Sequence, residues 1–139
     1  MDAAEIIRYI TSSFDDVQTS TAYGYEFFFY SAERKLPFAT LATSDNEYDR
    51  VSQLDRPGVF RLNIGVSKPT FQSLFGPGRA DPGGYDFSTL DTIMPHPDYA
   101  AQSWVCVLSP SDATFEQVRQ LLAEAYDRAV RRHNRRTAD

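Results

Sequence analysis

Eight residues near the middle of the chain alternate in side-chain character. Phe60, Leu62, Ile64 and Val66 are apolar, and Val59, Arg61, Asn63 and Gly65 fall between them. A period of two is the signature of a strand, because successive side chains leave opposite faces of a sheet. One face of this strand is greasy and must be covered; the other offers a cation and an amide. Pro57-Gly58 is the turn that leads into it. Just beyond, Ser67 is placed to cap a short helix through Phe75, with Pro69 in its first turn and Gly76 as its stop. A chain holding this segment needs a sheet with helices against one side.

The sequence supplies both. Phe115, Val118, Leu121, Leu122, Ala125, Tyr126, Ala129 and Val130 form a wide apolar stripe at helical spacing, and Thr114 followed by Gln117 has capping-box spacing. Ile6, Ile7, Ile10 and Phe14 predict a first helix over 2–14, with Asp2 and Glu5 at its positive end. Strands are predicted near 17–22, over 25–30 and 38–43, and over 104–108, where Ser109-Pro110 ends the run. Gly24 suggests a hairpin turn. Residues 44–49 read as a turn, 88–94 as one or two helical turns, and the Gly/Pro-rich 76–84 as a surface connection. Strands grouped between terminal helices predict an α+β fold: a single antiparallel β-sheet flanked on one face by the N- and C-terminal helices. A length of 139 residues fits one domain over 1–139, with the basic tail, about 131–139, expected to fray. The 42% apolar content is enough for its core.

Composition removes several function classes. One cysteine, Cys106, allows no intramolecular disulfide and no multi-cysteine zinc site. The lone thiol, and an N-terminus without a basic leader, point to a cytoplasmic protein. No apolar run approaches bilayer length; the aromatic run 27–30 is only a strand's worth. A net charge of −5 argues against broad nucleic-acid binding. The exception is local: Arg128, Arg131, Arg132, Arg135 and Arg136 crowd the last helix. They read as cations complementing the helix dipole, or as a weak nucleic-acid contact.

No phosphate loop, dinucleotide fingerprint, nucleophile elbow or metal-ligand spacing occurs, so no cofactor and no metal are expected. Four residues stand out as ligand-binding candidates. Arg61 and Asn63 leave the same sheet face, which lies open if the helices cover Phe60 and Leu62, and together they suit a carboxylate, phosphate or peptide. The bland alternative pairs Arg61 with an acid on a neighbouring strand, such as Glu26. His96, held between Pro95 and Pro97, is either a base titrating near neutrality or a loop histidine bonded to backbone. Trp104 is either a stacking platform or core. Cys106 reads as a buried, inert thiol, and His133 as a solvated member of the basic tail.

The blocks FFFY, LPFATL, RPGVFRLNIGVSK, MPHPDYAAQSWVCVLSP and LLAEAYDRAVRRH, in this order, resemble an actinobacterial domain-of-unknown-function family from Glu5 to His133. The later half is similar, more distantly, to the MmcQ/YjbR-like proteins, through Trp104 in its strand and Ala125-Tyr126-Asp127 in the helix. That resemblance implies a CyaY- and frataxin-like fold. DNA binding, proposed for that group on fold grounds, transfers poorly, because Ala101, Gln102 and Ser103 replace the basic residues expected before the tryptophan. The expectation for function is therefore a non-catalytic binding or accessory module using the exposed sheet face, with a small molecule or a protein as partner. The alternatives are a small-molecule pocket or small enzyme near Arg61, Asn63 and His96, and a weak nucleic-acid binder.

Overall fold

The computed structural model describes residues 1–32, 36–77 and 84–137. Helix α1 (Ala3–Ser13) is closed at its start by a capping box in which Asp2 and Glu5 exchange bonds with each other's backbone. Strands β1 (Val17–Ala22) and β2 (Tyr25–Tyr30) form a hairpin. Its two turn residues, Tyr23 and Gly24, both have positive φ, which matches the twist of the flanking strands. Then come β3 (Ala39–Ala42), β4 (Arg61–Gly65), α2 (Lys68–Phe75), the two-residue β5 (Met94–Pro95), β6 (Trp104–Leu108) and α3 (Asp112–Thr137). The six strands make one open antiparallel sheet in the order β1-β2-β3-β4-β6-β5. The α+β architecture expected from the sequence is the one observed.

Register assigns the faces. Leu62 lies opposite Leu41 and Val107, and Ile64 opposite Ala39 and Val105. These side chains meet Ile6 and Ile10 of α1 and Phe115, Val118, Leu122 and Ala125 of α3 in the main core. Two further ties fix the helices. Glu124 of α3 accepts from the Ser67 backbone and the Thr70 hydroxyl, both at 2.6 Å, and Arg128 donates to the Gly65 and Val66 carbonyls.

The other face is where the structure departs from expectation. Every residue of β4 is buried, including Arg61 and Asn63. The segment leading into β4 folds over this face through Asp49, Ser52, Leu54 and Val59, with Phe87 beyond it. Leu54 and Phe87 pack there with Ala42, Met94, Cys106 and Leu108 in a second, smaller core. The face expected to be open is thus roofed over β4. Residues 88–94 form no helical turn: Leu90 bridges Leu108 and Met94 enters β5, so the segment becomes a sheet edge. Helix α3 begins earlier than the Thr114–Gln117 spacing suggested, capped by Ser111, whose hydroxyl accepts from the Thr114 backbone. Of the expected Gly/Pro-rich connection, 78–83 lie outside the described residues, as do 138–139 of the basic tail. Among the described residues, no helix is long and apolar enough to cross a membrane.

Candidate functional site: a buried arginine beneath a shallow cleft

Arg61 leaves the centre of β4 toward the roofed face and is only 1% exposed. A guanidinium there needs an acid and several acceptors, since a buried cation without them is very costly. The roof delivers them. Arg61 Nη1 and Nη2 donate to the two oxygens of Asp49 at 3.2 and 2.6 Å, a bidentate pair. Nη1 also donates to the Ser52 hydroxyl at 3.0 Å, and Nε to Asn63 Oδ1 at 2.9 Å. Asn63 passes the chain on by donating to Thr40 Oγ1. The Tyr25 hydroxyl donates to Asp49 Oδ2. Among the described residues no buried side-chain nitrogen or oxygen lacks a partner, so this network is closed.

The partner is an acid, but it is Asp49 on the roof rather than Glu26. Glu26 lies opposite Leu41, on the helix side of the sheet, and accepts from Thr21.

Electrostatics follow from the burial. Burial alone would raise the Asp49 carboxyl, but hydrogen bonds from Arg61 and Tyr25 and the Arg61 charge outweigh it and hold the group below its ordinary value. Burial would lower Arg61, and Asp49 more than reverses this. Tyr25 is pushed up to about 12, by burial first and then by Asp49. His96 is driven down to about 3, by burial and then by the nearby Arg61 charge. Its Nδ1 accepts from the Asp98 and Tyr99 backbone at 3.0 and 3.1 Å, which is the backbone-bonded reading of this residue. Cys106, buried, is pushed up to about 12, chiefly by burial.

A cleft of about 280 Å³ opens beside Asp49. Tyr48, Arg50 and Val51 line it from the roof, and Phe87, Pro97 and Asp98 from the chain that follows. Tyr48 is 88% exposed, whereas Asp49 is 12% exposed, so Asp49 belongs both to the cleft lining and to the buried network. Arg61, Asn63 and His96 therefore gather in one region, beneath the cleft rather than in it. Trp104 leaves the same sheet face as Arg61 and Asn63 but at the far end of β6, half-buried, with its ring packed over Gly65. The arginines of α3 are spread over different partners: Arg128 on the Gly65 and Val66 carbonyls, Arg131 on Asp127 at 2.9 Å, and Arg132 on the Leu36 carbonyl. Arg135 is exposed in the last turn. His133 is not simply solvated, since its ring meets Tyr30 edge-on.

The comparison with protein families decides the affiliation: a family profile matches residues 1–138. The chain belongs to the family of unknown function DUF6194. No curated protein and no solved structure matches it. The DUF6194 match spans the sheet, the roof and the helices alike, so Asp49, Arg61 and the cleft all lie within the family region. Sequence reasoning had missed Tyr25, Asp49 and Ser52 in this DUF6194 chain. Asp49 sits in a run with Asp45 and Glu47 that reads as an ordinary polar turn. The one available signal was Arg61 itself, whose strand position demands an acid from somewhere.

Proposed function

We propose that this DUF6194 protein is a non-catalytic binding module that takes a small amphipathic molecule in the cleft beside Asp49. One observation carries the reading: the cleft lining includes a side chain pinned from below by three donor groups, so part of the site is set before any ligand arrives. Tyr48, Val51, Phe87 and Pro97 offer apolar surface, while Arg50 and Asp98 offer charges of both signs. A volume of about 280 Å³ suits a compact metabolite rather than a polymer. The titratable groups around the cleft support binding over proton-transfer chemistry. His96 at about 3, Tyr25 at about 12 and an Asp49 tied up by Arg61 leave none of these three poised near neutral pH.

We read the chain further as one cytoplasmic domain, in line with its lone, buried thiol. The distant MmcQ/YjbR-like resemblance stays part of this reading, resting on Trp104, now in β6, and Ala125-Tyr126-Asp127, now in α3. A thermal-shift screen with small metabolites tests the function, since a ligand of the folded state raises the midpoint. Val51→Glu, at an exposed cleft position, should abolish the shift and leave the unliganded midpoint near that of the wild type. Hits that shift Val51→Glu equally would place binding elsewhere and sink the proposal.

A further inference from the structure

The two edges of the sheet are built differently. One edge is β5, two residues long and including Pro95, with Leu90 bridging β6 beyond it. Short length and proline are both devices that blunt an edge. The other edge is β1, VQTSTA, with six residues, no charge, no proline and β-branched side chains at every second position. Its outward backbone can be read from the register. The Ser31 backbone donates to the Asp16 carbonyl, and Asp16 precedes the pair Val17↔Tyr30. Ladder bonds alternate along an antiparallel pair, so Gln18, Ser20 and Ala22 bond to β2 while Val17, Thr19 and Thr21 turn their N–H and C=O groups away from it. The Thr19 and Thr21 side chains are exposed.

We propose that β1 is the seam of a homodimer, pairing antiparallel with β1 of a second copy across a two-fold axis at Thr19. This register brings Thr19 opposite its own symmetry mate and Val17 opposite Thr21, so all three outward residues find partners at once. The strand's lack of charge makes this register self-compatible, which favours a second copy as the occupant. No charged side chain lies within the strand, and the acids just before it fall on neutral groups of the mate: Asp16 opposite Ala22, and Asp15 opposite Tyr23. Tyr23 is 83% exposed and carries a hydroxyl donor. Acid never faces acid across the seam, despite a net charge of −5 on each chain.

Sedimentation of the full chain over a concentration series tests this. The wild type should show twice the 15.7 kDa chain mass. Thr19→Lys sets two cations face to face and should return the protein to monomer with unchanged circular dichroism. Thr19→Cys gives an independent reading, because paired strands hold opposing Cα atoms about 5.5 Å apart, within disulfide reach. Mild oxidation should convert that variant mainly to a cross-linked dimer, with the buried Cys106 not competing. A wild type that stays monomeric at the highest concentration reached overturns the proposal. So does a Thr19→Lys dimer as stable as the wild type, or a Thr19→Cys variant that fails to cross-link.

Discussion

At Arg61 the protein has taken a guanidinium out of water, at a desolvation cost of several kcal/mol per ion, and has surrounded it with four hydrogen bonds. Removing the cation leaves Asp49 beside Tyr25 with no counter-charge. Arg61→Ala should therefore cost about 3–5 kcal/mol in urea denaturation, the range for breaking a buried pair. A loss near zero would show that the pair contributes nothing to holding the roof. His96 gives a second, pH-dependent expectation. Its folded pKa of about 3 lies below the ordinary 6.5. Below about 6.5 the unfolded chain takes up a proton that the folded protein refuses. Stability from this group is thus fully present above 6.5 and declines toward pH 3, with a slope approaching about 1.4 kcal/mol per pH unit. Asp49, also held low, adds loss in the same direction at the acid end. His96→Asn keeps an acceptor for the Asp98 and Tyr99 N–H groups and should flatten the decline between pH 6 and 4, as followed by urea midpoints at each pH.

Elements divide sharply in how well they could be read from sequence. The alternation through 59–66 and the stripe of α3 are local patterns, and both elements form where those patterns place them, because burial of one face decides them. Leu122, fully buried on that stripe, should lose about 2–5 kcal/mol on truncation to alanine, measured by chemical denaturation. The polar face of β4 was also legible, but not its fate. Whether Arg61 met water or a roof depended on residues 12 and 9 positions away, Asp49 and Ser52, whose own local sequence says only turn. The cleft was illegible for the same reason, as it is made where two irregular segments meet. The 88–94 segment failed differently. Its edge pairing is set by β6, which lies later in the chain, and no local periodicity encodes that. Between β4 and β6 there is one further constraint. A Cβ on Gly65 would come within 2.9 Å of the Trp104 ring, so Gly65→Ala should displace the indole and change its fluorescence. Unchanged emission would mean the ring accommodates a methyl group without moving.

For the molecule as a whole, the sheet is a wall between two cores of unequal size, the larger under the helices and the smaller under the roof. The smaller one has fewer apolar contacts to lose, so amides of the roof should exchange with solvent by openings that leave α3 protected. Net charge also belongs to this scale. With −5 overall and Arg128, Arg131 and Arg132 each engaged within the chain, retention on duplex DNA should be weak at low salt and vanish near physiological ionic strength, as read by gel shift. The division into two cores reaches beyond stability. Sites with no shared partners contribute independently, so changes to Tyr48 or Val51 should leave the energetics of Leu122 and Ile64 untouched. A lineage carrying this fold is then free to vary Tyr48 and Val51 at the cleft rim, while Asp49 below them and the helical half that keeps the chain folded are inherited intact.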